Sequence, residues 1–192
     1  MKSGYAIVVP LSGSIQTIVL ETLELLKIKY NIEYLYSRSK IPHITILAGI
    51  PFNNSETELI NLLIKAKKNT KPFTLHSYGL GIFVLDSPLI YLRWKKTQNI
   101  QILYDLLFKK MSSYFSQIET SCMPEIWQPK TSLAYKDTKK SNLIDIITIE
   151  LSKIIHQQSM KVEELFLLKY DSYGEYFIKS ISLKKKNVQT KF

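Results

Sequence analysis

The apolar positions of this chain change period several times along its length. "YAIVV" (5–9) is a continuous apolar run of strand length. Over 14–30, "SIQTIVLETLELLKIKY" puts Ile15, Ile18, Val19, Leu23 and Leu26 near helical spacing, behind the cap candidates Ser12 and Ser14. "HITILAGI" (43–50) returns to a strand pattern, and "NSETELINLLIKAKK" (54–68) opens a helix on a capping box, Ser55 to Glu58. "FTLHSYG" and "GIFVLD" predict two strands or one bulged strand, with Gly79 and Gly81 at the irregularity. Asp86-Ser87-Pro88 then turns the chain into the strand "LIYLRWK" (89–95). A third helix is expected over 99–115, a strand over 129–135, a fourth helix over 141–157, and a closing hairpin over 161–183 around Tyr173-Gly174.

The two halves share an order: strand, helix, short motif strand, helix, strand pair. The motif strands resemble each other. "PHIT" and "PKTS" each run proline, basic residue, spacer, hydroxyl, and they lie close to half a chain apart. The expected fold is α+β and bilobal, with two pseudo-symmetric lobes, each an antiparallel sheet with helices, and a central groove between the sheets. Residues 1–192 are expected to form one domain of two interleaved lobes. Strand alternation predicts one face for His43, Thr45 and Leu47, with Ile44 and Ile46 opposite. It likewise groups Lys130, Ser132 and Ala134, with Leu133 and Tyr135 opposite.

Composition narrows the class. The 192 residues are 45% hydrophobic and 22% charged, as in ordinary globular proteins. No apolar run approaches the roughly 20 residues a bilayer span needs, so no membrane partner is expected. The first apolar run is short, lacks a strongly basic leader and is followed by Pro10, which makes it a strand rather than a signal peptide. The single cysteine, Cys122, excludes an internal disulfide and a cysteine metal site, and a cytoplasmic location is the default expectation. The net charge of +10 serves solubility or attraction of a phosphate-bearing partner equally well. Without an arginine-rich arm, zinc-finger spacing or RNP-like motif, a dedicated sequence-reading nucleic-acid binder is disfavoured.

The candidate chemistry lies in the repeated pairs. An imidazole beside a hydroxyl moves a proton while the hydroxyl donates to a phosphate oxygen. Two such pairs across a cleft suit in-line phosphoryl chemistry. A lone strand histidine is more often structural, and it is the repetition of proline, base and hydroxyl that singles out His43. His76 has no such pairing, and His156, near a helix end, suits the helix dipole.

In these residues the chain resembles the 2H phosphoesterase superfamily, the LigT and cyclic-phosphodiesterase-like proteins, which carry two His-x-Thr/Ser motifs around a groove. "PHIT" matches the first motif, "GLGIFVLDSPLIYLRW" is similar to the mid-chain strand pair, and the element order agrees from residue 5 to about 183. The second motif departs from the pattern: Lys130 stands where the family has histidine. The resemblance implies a metal-independent phosphodiesterase without cofactor. Its substrate would be a small nucleotide or oligonucleotide carrying a 2′,3′-cyclic phosphate, a 2′–5′ link or a cyclic phosphodiester. The acid–base role falls on His43 and the phosphate-binding hydroxyls on Thr45 and Ser132. No protein partner is expected.

A lysine titrates near 10.4 against about 6.5 for histidine, so a charged Lys130 cannot accept a proton. His43 is then the base, and Lys130 neutralises the phosphate or protonates the leaving oxygen. The alternatives are a nucleotide-binding protein that sequesters a cyclic nucleotide without cleaving it, and a non-catalytic RNA-binding module. Lys40, Arg93, Trp127 and Tyr135 are the candidate substrate-binding residues, with Tyr170 and Tyr173 as further stacking candidates.

Overall fold

The run Gly4–Pro10 becomes β1, a strand covered on both faces, which is why it is apolar throughout instead of alternating. The computed structural model describes residues 3–53, 55–68, 70–84, 86–151 and 158–184. β1 lies in the middle of a five-stranded antiparallel sheet. Its neighbours are β2 (His43–Pro51), on the far side of which runs β5 (Phe115–Ile118), and β8 (Glu164–Tyr170), followed outward by β9 (Glu175–Ser182). The second sheet has four antiparallel strands, in the order β6 (Lys130–Ala134), β4 (Leu89–Trp94), β3 (Phe73–Phe83), β7 (Ser159–Val162). The expected architecture of two antiparallel sheets with helices is therefore observed. One hydrophobic cluster joins them, taking Ile7, Ile44 and Leu167 from the first sheet and Leu75, Ile90 and Trp94 from the second.

The order of strands corrects the half-by-half reading. The mid-chain pair β3–β4 sits beside the second motif strand, β6, and the closing pair β8–β9 sits in the sheet of the first, β2. Each half thus gives its strand pair to the other half's sheet. The closing hairpin is also shorter than expected. Ser159–Val162 is a separate strand paired with Phe73–His76 of β3, and the hairpin proper begins at Glu164. β3 is one long strand whose register slips between Ser77 and Leu80, where Gly79 takes φ 106°, a conformation that needs glycine.

The helix α1 (Ser14–Tyr30) buries Ile15, Val19, Leu23 and Leu26, and ends at Asn31, whose left-handed backbone returns its N–H to Leu26 and Lys27 carbonyls. It contacts β6, while α4 (Gln98–Met111) contacts β2, so the helices cross between sheets as the strand pairs do. A five-residue helix, α2 (Tyr34–Arg38), stands just before the first motif and has no periodic signal. α3 (Glu56–Lys67) begins where expected: the Glu58 N–H donates to Ser55 Oγ at 3.3 Å. Ser55→Ala should cost about 1 kcal/mol, a loss of roughly 2–4 °C in Tm, checked by thermal melts.

α4 stops four residues before its predicted end, because Phe115–Ile118 pairs with the β2 edge as β5 although its apolar spacing continues the helical period. Of the predicted fourth helix, residues 140–151 form successive helical turns, with a wide π turn at Ile146–Glu150. The remainder, including His156, lies outside the described residues. No described helix is long and apolar enough to cross a membrane.

Candidate active site

Both motif strands carry a bulge at the same place. In β2, Val8 of β1 opposes Thr45 and Ile7 opposes Leu47, so Ile46 is the extra residue. In β6, Tyr91 opposes Ser132 and Ile90 opposes Ala134, so Leu133 is the extra residue. Each bulge falls three residues after the basic position and one after the hydroxyl. A bulge reverses the alternation beyond it. The groove face of β2 therefore runs His43, Thr45, Ala48, with Leu47 turned to the other side. On β6 the same reversal turns Ala134 away and brings Tyr135 to the groove. These two assignments correct simple alternation, and the cause in each case is the extra residue.

Both tryptophans of the chain brace these strands. Trp127 is buried, stacks on Tyr104 with centroids 4.1 Å apart, and donates from Nε1 to the Thr45 carbonyl at 3.1 Å. Trp94 donates from Nε1 to Thr131 Oγ1 at 3.0 Å. The hydroxyls of Thr45 and Ser132 are thus carried on strands whose backs are pinned by indole hydrogen bonds.

His43 Nδ1 lies 2.7 Å from the Ile41 carbonyl, which can only accept. In the neutral ring this bond places the proton on Nδ1 and leaves the Nε2 lone pair free to take another. Glu175 Oε2 lies 4.0 Å from Nδ1, and that buried oxygen has no hydrogen-bond partner among the described residues. The Glu175 carboxyl therefore stands on the Nδ1 side of the ring, away from Nε2.

His43, Thr45, Lys130, Ser132 and Tyr135 line one cavity of about 900 Å³. Lys130 is half-buried, and desolvation pushes its ammonium below the ordinary lysine range, with a smaller opposing influence from nearby Cys122. Its side chain has no hydrogen-bond or ion-pair partner among the described residues. The Cys122 thiol is pushed up by its own burial. The Tyr170 hydroxyl donates to Glu119 Oε1 at 3.0 Å, and burial, reinforced by that carboxylate, pushes the phenol well above its usual range. Tyr170 is therefore a neutral donor in the wall, not a base.

Other candidates fall elsewhere. Trp127 supports the motif strand from behind and does not line the cavity, because its ring is taken up by Tyr104. Arg93 opposes Lys130 in the sheet, but its guanidinium turns to Tyr78, 2.7 Å from the hydroxyl and over the ring. Lys40 is exposed outside the lining, as is Tyr173. His76 pairs with Ser159 Oγ at 2.7 Å, away from the cavity.

The lining also includes residues that sequence patterning did not single out: Tyr34 and Arg38 of α2, Glu119, Gln128, Lys136 and Glu175. They come from short or irregular segments, brought together only by the pairing of distant strands. Among the described residues no three His, Cys, Asp or Glu side chains are grouped to hold a metal ion.

The model of the 2′-5′ RNA ligase superfamily matches residues 11–174, a span that contains both motif strands and the mid-chain pair between them. The chain belongs to this superfamily. Its members are the 2H phosphoesterases, and the superfamily fits a phosphodiesterase- or ligase-type activity.

Solved structures share the superfamily fold at low sequence identity. LigT from E. coli, in complex with 3′-AMP, aligns with a TM-score of 0.59 at 14% identity over 96% of this chain and 100% of that one. TT0787 of Thermus thermophilus aligns with a TM-score of 0.64 at 14% identity, over 95% and 99%. LigT in complex with ATP gives a TM-score of 0.57 at 13% identity, over 95% and 99%. No curated protein matched the sequence. Against the two His-x-Thr/Ser motifs of the superfamily, the departure in this chain is Lys130.

Proposed function

We propose that this protein is a phosphodiesterase that opens a 2′,3′-cyclic phosphate, a 2′–5′ link or a cyclic oligonucleotide by the acid–base chemistry of its own side chains. One observation carries the reading: an imidazole bonded through Nδ1 and a half-buried ammonium, with no partner on Nε2 or on the ammonium among the described residues, line the same cavity on two strands with the same bulge. A lysine without a counter-ion in such a place draws in an anion. The groups flanking it are hydroxyls, which suit the non-bridging oxygens of a phosphate.

In the proposed step, His43 Nε2 takes the proton of the attacking water or hydroxyl as its oxygen bonds to phosphorus. The P–O bond to the leaving oxygen breaks, and Lys130 supplies that oxygen with a proton while offsetting the charge on the phosphoryl group. Thr45 and Ser132 donate to the non-bridging oxygens. A lysine whose acidity is increased by burial is a better donor at neutral pH than an exposed one.

The same unpartnered ammonium favours a second reading, in which Lys130 holds a nucleotide without turnover. The two part in one experiment. The protein is incubated with 2′,3′-cyclic nucleotides, 2′–5′-linked oligonucleotides and cyclic di- and trinucleotides, and the products are weighed by mass spectrometry. Cleavage of one class is the expected result. If every nucleotide stays intact while Lys130→His cleaves one, the sequestering reading replaces the enzyme.

A further inference from the structure

Beyond the two motif strands, the cavity wall carries a second cationic cluster. Tyr34, the first residue of α2, holds the Arg38 guanidinium 5.1 Å and the Lys136 ammonium 4.8 Å from its ring centroid. Lys136 Nζ also donates to the Tyr34 hydroxyl at 3.0 Å and lies 5.5 Å from the centroid of Tyr135, whose ring meets Tyr34 edge-on. All four residues line the cavity that contains His43 and Lys130.

Neither cation has a carboxylate within ion-pair distance among the described residues. Arg38 donates once from each terminal nitrogen, to the carbonyls of Ser172 and Asp171, which are neutral, and its guanidinium has further N–H donors. Asp137, the nearest acid in sequence to Lys136, accepts instead from the Glu33 and Tyr34 backbone N–H groups, both at 2.7 Å. Two like charges are therefore held against one ring, neither of them ion-paired among the described residues, an arrangement an anion improves.

The backbone points the same way. Lys136 takes φ 70°, a left-handed conformation that costs a non-glycine residue about 1–3 kcal/mol. The Asp137 clamp on α2 accompanies this strained backbone, and the ammonium ends over the aromatic pair. Because the clamp joins the loop after β6 to the segment before β2, the cluster lies where the two sheets' motif strands meet α2.

We infer that Arg38, Lys136 and the Tyr34 hydroxyl form a second phosphate subsite, separate from the one at His43 and Lys130. The preferred substrate is then an oligonucleotide presenting a second phosphate beside the scissile one, and not a lone cyclic mononucleotide. The inference rests on the proposed function of the main site and adds a size and charge requirement to it. The cavity volume of about 900 Å³ lies near the top of the range of about 300–1,000 Å³ usual for small-ligand sites, in keeping with a ligand larger than one nucleotide.

The test compares two probes that differ by one phosphate, the deoxydinucleotide dApA and its 5′-phosphorylated form pdApA, by calorimetry at constant ionic strength. Lacking 2′-hydroxyls, both probes lack the internal nucleophile that cleaves RNA. The wild type should bind pdApA about 10-fold more tightly, the factor supplied by one charge-assisted contact. Its affinity for pdApA should also fall more steeply with salt, by a slope of about 0.7 for the added phosphate. Lys136→Gln should remove most of that preference and leave dApA affinity within about twofold, whereas Lys136→Arg should retain it. Lys136→Gly, which relieves the left-handed backbone while deleting the charge, guards against loss of fold. Equal binding of both probes by the wild type, or equal weakening of both by Lys136→Gln, overturns the second subsite alone. Binding of neither probe overturns the second subsite, while the reading of the main site stands or falls separately on the mass-spectrometric cleavage of 2′,3′-cyclic, 2′–5′-linked and cyclic nucleotides.

Discussion

His43→Ala should lower the rate of phosphodiester opening by about 10²–10⁴-fold, the usual contribution of a positioned general base. The expectation follows from what holds the ring. Its Nδ1 is committed to the Ile41 carbonyl, so one nitrogen orients the side chain and the other is left to work. No other residue of the lining can take over: Lys130 is a cation when protonated, and burial has moved the Tyr170 phenol away from the range in which it ionises. Of the lining carboxylates, Glu175 lies on the Nδ1 side of His43, Glu119 is bonded to Tyr170, and Asp171 accepts from the Tyr173 and Gly174 N–H groups. The loss should fall on kcat, since Lys130, Thr45 and Ser132, the proposed phosphate anchors, remain. The check is single-turnover cleavage of the nucleotide identified by mass spectrometry, with circular dichroism to show that the variant is folded. A variant that retains more than a tenth of the rate would remove His43 from the chemistry.

The second large effect joins stability to function. Lys130→Met should abolish turnover and, at pH 6, make the protein more stable by about 0.5–2 kcal/mol, the gain common for a single stabilising substitution, because it replaces a desolvated charge by an apolar side chain. For a chain of this length that is roughly 2–4 °C in Tm per kcal/mol. The sign follows from linkage. The folded protein lowers the Lys130 pKa through burial, so the unfolded chain binds the proton more tightly. The cost to stability is fully present below the folded pKa, declines as pH rises through it, and vanishes above the unfolded value near 10.4. The Tm advantage of Lys130→Met should therefore be largest at pH 6 and shrink toward pH 10. An advantage that does not change with pH would mean that packing, and not charge, separates the two proteins. Inorganic phosphate should raise the Tm of the wild type and have a smaller effect on the variant, because binding stabilises only the form that binds.

Some of this was legible in the sequence and some was not, and the division is physical. "PHIT" and "PKTS" could be picked out as candidates that share one cavity because two side chains on one face of a strand stand two residues apart, and short spacing survives in a linear string. α1 and α3 could be read because their apolar residues repeat at helical period and Ser55 caps its own helix. The bulges at Ile46 and Leu133 could not, since an extra residue in a buried strand is as apolar as its neighbours. They turned Leu47 and Ala134 away and brought Tyr135 to the groove. β5 was hidden for a different reason. Phe115–Ile118 follows a helical pattern without a break, and only the open edge of β2 makes it a strand. Arg38, Glu119 and Lys136 lie in segments without periodicity, and Glu175 opens β9, a strand whose pattern does not say which site it faces. Their relation to His43 depends on which strands pair, and that information is distributed over the whole chain. Trp127 was expected at the groove and is found behind it, because a large indole beside Tyr104 gains more from burial than from solvent.

The exchange of strand pairs also bears on how the protein is made. As the chain leaves the ribosome, β1 and β2 are present early, but β1 keeps one bare edge until Glu164–Tyr170 has been synthesised. The second sheet waits in the same way, since β6 arrives well after the β3–β4 pair it joins. Neither sheet can close from its own half of the chain. Assembly is therefore late, dominated by contacts between distant residues, and of the kind that folds slowly. A chain cut between the two halves should yield two fragments with exposed strand edges that associate or aggregate, not two working lobes.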